Sequence, residues 1–479
     1  MVLRSLAMVA SAVRVLVLLV LGVLGSGPAH ADDWADARKA FAKAQKSEDW
    51  RARSAGFGEL SYFDNADVVG EVLSALAEEK HSAVLLAAIK TLASFQTKSA
   101  KEAVLAALRK GKDPVRLYVI LALADQPGTD AKDALLEVLQ GRDDQAAAQA
   151  AMALGKKQVL EALPHLQALL LHRDWRLRAA AARAIRLLAG PIPPALPGKP
   201  APPATPKALT TAEVLTPLVD ALEAGQGRER SDLIATLARL TQQDFGWDVP
   251  AWRAFVAGTK VADIGRKPRH PIYFFGVPVH GRRVVLLSDN NVRTEDAHPF
   301  SADRARLQEV CKVPGARSVP WFELRTIKHL VNAHVKRTIN DLPSGSLFDL
   351  IVVGGKARNV FGKLTSANDG SKLTAVTALE EAKPEAANDV FTALDAALDI
   401  ASRKDSVAWD VGPEEILYAI VALPWLSEQS DPAVVAAAIA LKARLRMVPI
   451  TMVGVGEHPY ELCQTLAEST GGTYVNLSK

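Results

Sequence analysis

The stretch Val448-Pro-Ile-Thr-Met-Val-Gly-Val-Gly456 decides the fold of the carboxyl-terminal half of this chain. Its apolar and β-branched residues predict a buried strand that ends at two glycines. An amphipathic helix is predicted over residues 461–470, and Gly471-Gly-Thr-Tyr-Val475 leads into a second short strand. A strand, a helix and a second strand in this order are typical of a parallel sheet with helices on its faces.

The same alternation extends towards the amino terminus. We predict three further strands and two helices, in chain order Arg283–Leu287, helix Trp321–Leu342, Leu347–Val353, Glu415–Leu423 and helix Pro432–Leu445. The predicted unit is an α/β, doubly wound (Rossmann-like) domain over residues 282–479, whose ligands would lie beyond the carboxyl ends of the strands.

This order of elements, together with Leu342-Pro-Ser-Gly-Ser-Leu-Phe-Asp-Leu-Ile-Val-Val353, resembles a von Willebrand factor type A (VWA) domain. The resemblance implies a metal-ion-dependent adhesion site at the carboxyl edge of the sheet. Such a site uses an Asp-x-Ser-x-Ser loop, a Thr from a later loop and an Asp from another, because Mg²⁺ prefers about six oxygen ligands.

Most residues of that site are missing from this chain. The first loop reads Leu286-Leu-Ser-Asp-Asn-Asn-Val-Arg293, and registers starting at 286, 288 or 289 all fail to restore the triplet. Asn388 stands at the Thr position, and no acidic residue lies between Ile416 and Leu426. We therefore predict no tightly bound metal and no cofactor, with weak Mg²⁺ binding left open. The candidate ligand- or partner-binding residues at this edge are Ser288, Asp289, Asn290, Asn291, Asn388 and Asp389.

From residue 35 to about 190 the chain is predicted to be helical. Five aligned segments recur every 30 to 33 residues and begin at Asp49, Lys80, Asp113, Asp144 and Asp174. Each starts at a helix-capping residue and continues with apolar residues at helical spacing. The segment Asp113-Pro-Val-Arg resembles the start of a HEAT repeat, so we predict an all-α HEAT-type solenoid, with an irregular bundle as the alternative.

Residues 191–206 contain eight prolines and are predicted to be extended. Because residues 210–224 and 228–240 have the periodicity of two more helices, we place this segment as a loop within the last repeat. An interdomain linker is the alternative. The predicted solenoid covers residues 32–256, a connector covers 257–281, and Phe245, Trp247 and Trp252 are expected to cap the array.

The first 31 residues have the pattern of a secretory signal peptide. Arg4 and Arg14 precede or flank an apolar run at 15–24, and Ala29-His-Ala31 supplies small residues before Asp32. An uncleaved anchor is the alternative. We expect an extracytoplasmic protein, periplasmic or secreted, with no membrane span in the mature chain.

Charge and cysteine content exclude some classes of function. A net charge of +4 over 479 residues gives no reason to expect nucleic acid as a partner. Cys311 and Cys463 are expected to be unpaired thiols, with a disulfide as the alternative. A zinc site made of Glu295, His298 and Cys311 is a weaker interpretation of the insertion at 292–320.

Both predicted modules are interaction folds in other proteins. We therefore expect a non-enzymatic scaffold that binds another protein through the solenoid surface and the VWA-like domain. One alternative is a metal-dependent adhesion protein. The other is a hydrolase of envelope polymers that uses Glu295, Asp296 and Asp303, although the chain has no nucleophile elbow, phosphate loop or dinucleotide-binding motif.

Overall fold

The computed structural model describes residues 31–478, except for 112–113, 129, 191–205, 260–271, 301–302, 313–318, 322–323, 401–411 and 422–430. The predicted signal peptide and nearly all of the proline-rich segment therefore lie outside the described residues. An array of helices is followed by an α/β sheet domain, which confirms the predicted fold class.

The helical array has one continuous apolar core. Its helices are α1 (Ala31–Ala44), α2 (Trp50–Leu60), α3 (Ala66–Glu78), α4 (Ser82–Ser94), α5 (Lys98–Lys110), α6 (Val115–Asp125), α7 (Lys132–Leu139), α8 (Asp144–Lys156), α9 (Leu163–Leu169), α10 (Trp175–Leu188), α11 (Ala212–Ala224), α12 (Arg228–Thr241) and α13 (Val249–Val256). Helices α2, α4, α6, α8, α10 and α12 stack on one another in sequence and form what we call the inner layer.

Equivalent polar contacts recur along the inner layer. The Arg53 guanidinium on α2 donates to the Glu79 carboxylate at 2.8 Å, and Arg178 on α10 donates to Glu229 at 2.7 Å. Each arginine also donates to two carbonyl oxygens of the turn before its own helix. The same contact thus occurs at equivalent positions of two repeats. An irregular bundle would not produce this regularity, so the repeat is the structural unit.

Helices α8 and α10 approach closely because Gly155 has no side chain. A Cβ at this position would lie 2.8 Å from the Cα of Ala184, closer than packed atoms come. The neighbouring alanines on both helices are buried, which explains why the segment is rich in small residues.

The array continues beyond residues 191–205. Helix α12 stacks on α10, where the Thr236 hydroxyl donates to the Ala182 carbonyl at 2.9 Å and Arg183 donates to Asp232 at 2.7 Å. At the end of the array Trp252 is buried and packs edge-on against Phe245, with ring centroids 4.8 Å apart. These two rings close the core.

The carboxyl-terminal domain is a mixed sheet with helices on both faces. Its strands are β1 (Tyr273–Phe274), β2 (Val277–Pro278), β3 (Arg283–Asp289), β4 (Leu347–Val353), β5 (Ala357–Asn359), β6 (Thr365–Ser366), β7 (Glu415–Ile420), β8 (Ile450–Val455) and β9 (Tyr474–Leu477). Its helices are α14 (Arg304–Cys311), α15 (Ile327–Asp341), α16 (Asp369–Glu381), α17 (Val390–Asp399), α18 (Pro432–Leu445) and α19 (Tyr460–Thr470).

The main sheet has the order β5-β4-β3-β7-β8-β9, while β1 and β2 form a separate hairpin. Strands β4, β3, β7, β8 and β9 are parallel, and β5 and β6 pair with β4 in the antiparallel direction. Successive strands thus lie on opposite sides of β3, so the strand order reverses between β3 and β7. This is the doubly wound arrangement that the sequence predicts.

Two apolar clusters cover the two faces of the sheet. Helices α14, α15 and α16 pack on one face, and α17, α18 and α19 pack on the other. Cys311 belongs to the first cluster and Cys463 to the second, and both are free thiols. The prediction of unpaired cysteines is confirmed, because the sheet separates them.

Several predicted boundaries differ from the structure; strand β3, for example, ends at Asp289 rather than at Leu287. Helix α15 begins at Ile327 rather than at Trp321, because the Thr326 side chain caps it by accepting from the His329 backbone N–H. Strand β7 ends at Ile420 rather than at Leu423. Its next backbone N–H, that of Val421, is used by a side chain at the sheet edge, as described below.

The inner layer of the array packs against the α/β domain. Helix α18 lies against α4, and its Leu441 and Leu445 side chains are buried in the core of the array. Gln145 and Gln149 on α8 donate to the Leu445 and Arg444 carbonyls, both at 3.1 Å, and so satisfy groups that a helix end leaves free.

Aromatic rings extend this contact. The His81 ring is stacked between Trp50 of α2 and Phe391 of α17, with centroid distances of 4.9 and 5.6 Å. The sequence analysis expected the solenoid surface to bind another protein. In the structure the inner layer is occupied by the protein's own α/β domain, because α18 is apolar around most of its circumference and is buried from two sides.

Leu441→Ala should lower the free energy of unfolding by about 2–5 kcal/mol, because it opens a cavity between α18 and the array. Urea unfolding followed by circular dichroism measures this change. Leu373→Ala on α16 is the matched control, since that side chain is 68% exposed and its loss should change stability by about 0.5 kcal/mol or less. Equal effects of the two substitutions would contradict the packing described here.

His334 on α15 should make the fold sensitive to acid. Its ring is buried and stacked at 4.1 Å on Phe275, and burial, aided by the charge of Arg337, lowers the pKa of His334 to about 3. Because the unfolded histidine has a pKa near 6.5, only the unfolded state binds this proton between those values, and stability falls as the pH drops through this window.

The measurement is the urea unfolding free energy of wild type and His334→Phe at pH 7 and pH 5. Between pH 7 and pH 5 the unfolding free energy of the wild type should fall by roughly 2 kcal/mol more than that of the variant, because each pH unit below about 6.5 costs about 1.4 kcal/mol. If the unfolding free energies of the two proteins fell by the same amount, the folded protein would bind this proton as readily as the unfolded one, which would contradict the burial described here.

Candidate functional site

Asp289 lies at the carboxyl edge of the sheet, where the strand order reverses. It is the last residue of β3, and its side chain is only 4% exposed. One carboxylate oxygen accepts from the Asn291 backbone N–H at 3.2 Å. The other accepts from the Asn388 side-chain amide at 2.8 Å and from the Val421 backbone N–H at 3.0 Å. Hydrogen bonds from these N–H groups thus stabilise the negative charge of the carboxylate.

Two loops are joined around Asp289. The Asn290 and Asn291 amides donate to the carbonyls of Lys383 and Ala386, at 2.6 and 3.3 Å. Backbone bonds link the same loops, because Val292 donates to the Glu385 carbonyl and Glu385 donates to the Asn290 carbonyl, both at 2.9 Å. The loop after β3 is therefore held by the loop before α17.

The structure brings together only some of the predicted site residues. Asp289, Asn291 and Asn388 meet, but Ser288 faces the opposite side of the sheet because consecutive strand residues alternate. Asp389 caps α17, accepting from the Thr392 backbone N–H at 3.0 Å and hydroxyl at 2.7 Å.

Burial changes the interpretation of these residues. All but Asp389 are inside the protein; the buried side chains are Ser288, Asp289, Asn290, Asn291 and Asn388. The expectation that these five contact a ligand or partner directly stays a prediction; in this structure the second loop covers them. Their polar groups shape this edge of the sheet through the hydrogen bonds described above.

Tyr418 on β7 is a member of this cluster that the sequence analysis did not identify. Its hydroxyl is buried beside Asn388 and Asp289, and burial, together with the charge of Asp289, raises the pKa of Tyr418 well above 10. The phenol therefore stays protonated. The only signal in the sequence is a tyrosine within the otherwise apolar interior of strand 415–420.

The groups around Asp289 do not fit the Mg²⁺ site that the VWA resemblance implies. Mg²⁺ requires oxygen ligands on all sides, whereas Asp289 is surrounded by N–H donors from Asn291, Asn388 and Val421. These donors place positive charge density where a cation would lie. Within the residues that the structure describes, no three His, Cys, Asp or Glu side chains converge as metal ligands.

The residues of the alternative zinc site are also apart. Glu295 pairs with Lys328 at 3.8 Å, and the His298 ring lies 3.3 Å from the Leu324 carbonyl. Cys311 is buried in the apolar cluster of α14 to α16. The three side chains therefore have separate surroundings.

The carboxylates suggested for hydrolysis each have a structural partner. Asp296 is bound to Arg293 at 2.9 Å, and Asp303 accepts from the Arg306 backbone N–H at 2.9 Å as the cap of α14. Glu295 pairs with Lys328, as described above.

Sequence comparison identifies HEAT repeats in this chain. Residues 37–124 match a family model of HEAT repeats, a range that covers most of α1 and continues into α6. The array described above continues past this range through α12. A search of curated protein sequences found no match.

Solved structures similar to this chain include VWA proteins. A von Willebrand factor type A protein from Catenulispora acidiphila is 15% identical, with a TM-score of 0.29, and covers 41% of this chain and 38% of its own. Proximal thread matrix protein 1 from the mussel byssus, with a zinc-occupied MIDAS motif, is 12% identical, with a TM-score of 0.26 and 41% of each chain covered.

An aerotolerance-related membrane protein from Bacteroides fragilis is also similar. It is 14% identical, with a TM-score of 0.25, and the match covers 40% of this chain and 90% of that one. The first two matches span about two fifths of the relatives' own length. Two classes of module thus describe this protein, a HEAT-repeat array and an α/β sheet domain whose structural neighbours include VWA domains.

Thermal unfolding in EDTA and in millimolar Mg²⁺, Mn²⁺ or Ca²⁺ tests the assignment at Asp289. We expect the same Tm in all four conditions, whereas a metal at about 100 times its Kd would add near 2.7 kcal/mol and raise Tm by several degrees. A metal-dependent shift that is lost in Asp289→Ala would contradict this account.

Asn388→Ala should lower the free energy of unfolding by about 1–3 kcal/mol, because it removes one hydrogen-bond donor from the buried Asp289 carboxylate.

Proposed function

We propose that this protein is a non-enzymatic, extracytoplasmic scaffold that binds another protein. The proposal is supported by its two modules, since HEAT repeats and VWA-like domains generally mediate protein interactions. The observation that carries the proposal is the hydrogen-bonded sheet edge, where Asp289 and the amides around it hold an exposed turn in place.

That turn is the short 3₁₀ segment Val292–Glu295, which we call the edge turn. Asn291 caps it by accepting from the Arg293 backbone N–H at 2.9 Å, and the Val292 N–H is bound to the Glu385 carbonyl. A turn that is already ordered loses little conformational entropy when a partner binds.

The edge turn presents an apolar group between charges. Val292 is 47% exposed although it is β-branched and apolar, and the Arg293 side chain beside it pairs with the exposed acids Asp296 and Glu457. A rigid loop with one exposed apolar group and flexible charges at the functional edge of a sheet suits recognition of a protein surface. With the inner layer of the array covered, we place partner contact at this edge of the sheet.

The non-enzymatic part of the proposal is supported by the structural partners of the candidate carboxylates Glu295, Asp296 and Asp303. The extracytoplasmic part is supported by the signal-like sequence at 1–31. In the part of the chain that the structure describes, no helix combines the length and apolarity that crossing a bilayer requires.

Capture of a partner from the envelope fraction tests the proposal. The immobilised protein should retain a specific protein, and Val292→Asp should weaken its binding by about tenfold or more, because a charge enters the apolar centre of the contact. The retained protein, once identified, is titrated against wild type and variant by isothermal calorimetry. Retention should be the same with and without EDTA.

Leu171→Asp is the matched control, since Leu171 is 76% exposed and lies on the array, away from the edge turn. It should bind the partner as the wild type does. Equal affinity of Val292→Asp and wild type would show that the edge turn is not the contact. Retention that requires Mg²⁺ would instead support a metal-dependent adhesion protein.

A further inference from the structure

A cavity lies at the junction of the two modules, apart from the sheet edge. Its volume is about 310 Å³, and it is bounded by α6, α8 and α10 of the inner layer, the turn after α18 and the end of α19. Helices of the array form one wall and the α/β domain forms the other. It is near the lower size limit of small-molecule sites in proteins.

The polar lining of this cavity is strongly basic. Four basic side chains line it, and Glu468 is the one acidic residue among the lining residues that the structure describes; the basic residues are Lys156, Arg183, Arg186 and Arg444. Two of them have acidic partners, because Lys156 pairs with Asp125 and Arg183 pairs with Asp232 at 2.7 Å.

The other two guanidinium groups lack such partners. Arg186 and Arg444 are half-buried, and neither side chain forms an ion pair or hydrogen bond with any residue that the structure describes. Burial lowers the pKa of Arg186, although the charge of Asp232 partly offsets this effect. A guanidinium stays charged in proteins, so it normally needs an anion when it is taken out of water.

Among the residues that the structure describes, no neighbouring acidic group is within ion-pair or hydrogen-bond distance of either guanidinium. One oxygen of Asp232 serves both Arg183, at 2.7 Å, and Arg228, at 3.6 Å. The carbonyl of Gly471, at the negative end of α19, accepts from Arg228 at 2.8 Å. Glu468 accepts from Gln464 at 2.7 Å. Arg186 and Arg444 are therefore left facing the cavity from opposite walls.

Much of the remaining cavity wall is apolar, although Gln149, Ser469 and Thr470 also line it. The apolar portion includes side chains from α6, α8, α10 and the turn after α18, namely Leu121, Met152, Leu187 and Met447. We propose that this cavity binds a small amphiphilic anion, whose carboxylate or phosphate group lies between Arg186 and Arg444 and whose apolar part packs against these side chains. Guanidinium groups suit both anions because they offer paired N–H donors in one plane. Such a ligand would contact both modules at once.

Isothermal calorimetry with four probes tests this proposal on the whole protein. Octanoate and octyl phosphate carry both required features, octanol lacks the charge, and inorganic phosphate lacks the apolar chain. We expect saturable binding of octanoate, octyl phosphate or both, at least tenfold tighter than octanol and inorganic phosphate. The preferred head group identifies the anion as a carboxylate or a phosphate.

Substitutions then locate the binding. Arg186→Gln and Arg444→Gln should each weaken the amphiphile by at least about tenfold. Arg186→Met should also raise the Tm of the ligand-free protein, because it removes a charge that lacks a partner, whereas a merely structural arginine would give a lower Tm. Arg109→Gln on the outer helix α5 is the control, since its exposed side chain pairs with Glu137 at 3.7 Å.

The proposal fails if no probe binds saturably, or if octanol binds as tightly as octanoate. It also fails if inorganic phosphate binds as tightly as octyl phosphate. Unchanged affinity in both Arg186→Gln and Arg444→Gln would overturn it as well, because binding would then lie elsewhere. Circular dichroism of the variants confirms that each comparison is made between folded proteins.

Discussion

The burial of α18 from two sides is the contact on which the rest of the structure depends. One side of this helix packs on the sheet together with α17 and α19, and the other carries Leu441 and Leu445 into the core of the array. Without this helix the inner layer would expose a row of apolar side chains. The two modules therefore pack as one body, and each buries an apolar surface that the other would expose to water on its own.

This arrangement determines which surfaces remain for function. The inner layer, which a free HEAT-type array would offer to a partner, is used within the chain. At the carboxyl edge of the sheet, Asp289 accepts hydrogen bonds from N–H groups of Asn291, Asn388 and Val421, and its loop is tied to the loop before α17. Hydrogen bonds therefore fix the shape of this edge. The junction cavity adds a second, basic surface of different chemistry.

Sequence patterns predict most of the elements but not how the modules meet. The strand Leu347–Val353 and the helix Pro432–Leu445 lie at their predicted bounds, because an unbroken apolar run and a proline at the first helical position are strong local signals. The start of α15 was misplaced because a single threonine cap decides it. The apolar residues around α18 were visible in the sequence, but the surfaces that cover them were not predicted.

At the candidate site, too, the sequence predicts which residues are present but not which contacts they make. The sequence placed Asp289 and Asn388 at one edge of the sheet, and they do meet there. It did not show that Asn388 would present its amide N–H group, or that the loop at 383–388 would bury the cluster, since these contacts join residues about a hundred positions apart. The sequence also could not predict that Arg186 and Arg444 have no ion-pair partner among the described residues, because ion pairing depends on which helices face each other.

Hydrogen exchange measured by mass spectrometry tests the union of the two modules most directly, on wild type and on Leu445→Ala. If α18 joins the two modules, this substitution should speed exchange in α18 and, by a similar factor, in α4 and α8, which lie far from it in sequence. Peptides from β4, on the other side of the sheet centre, should change less. Faster exchange confined to α18, with α4 and α8 as in wild type, would mean that the array and the α/β domain are not one body.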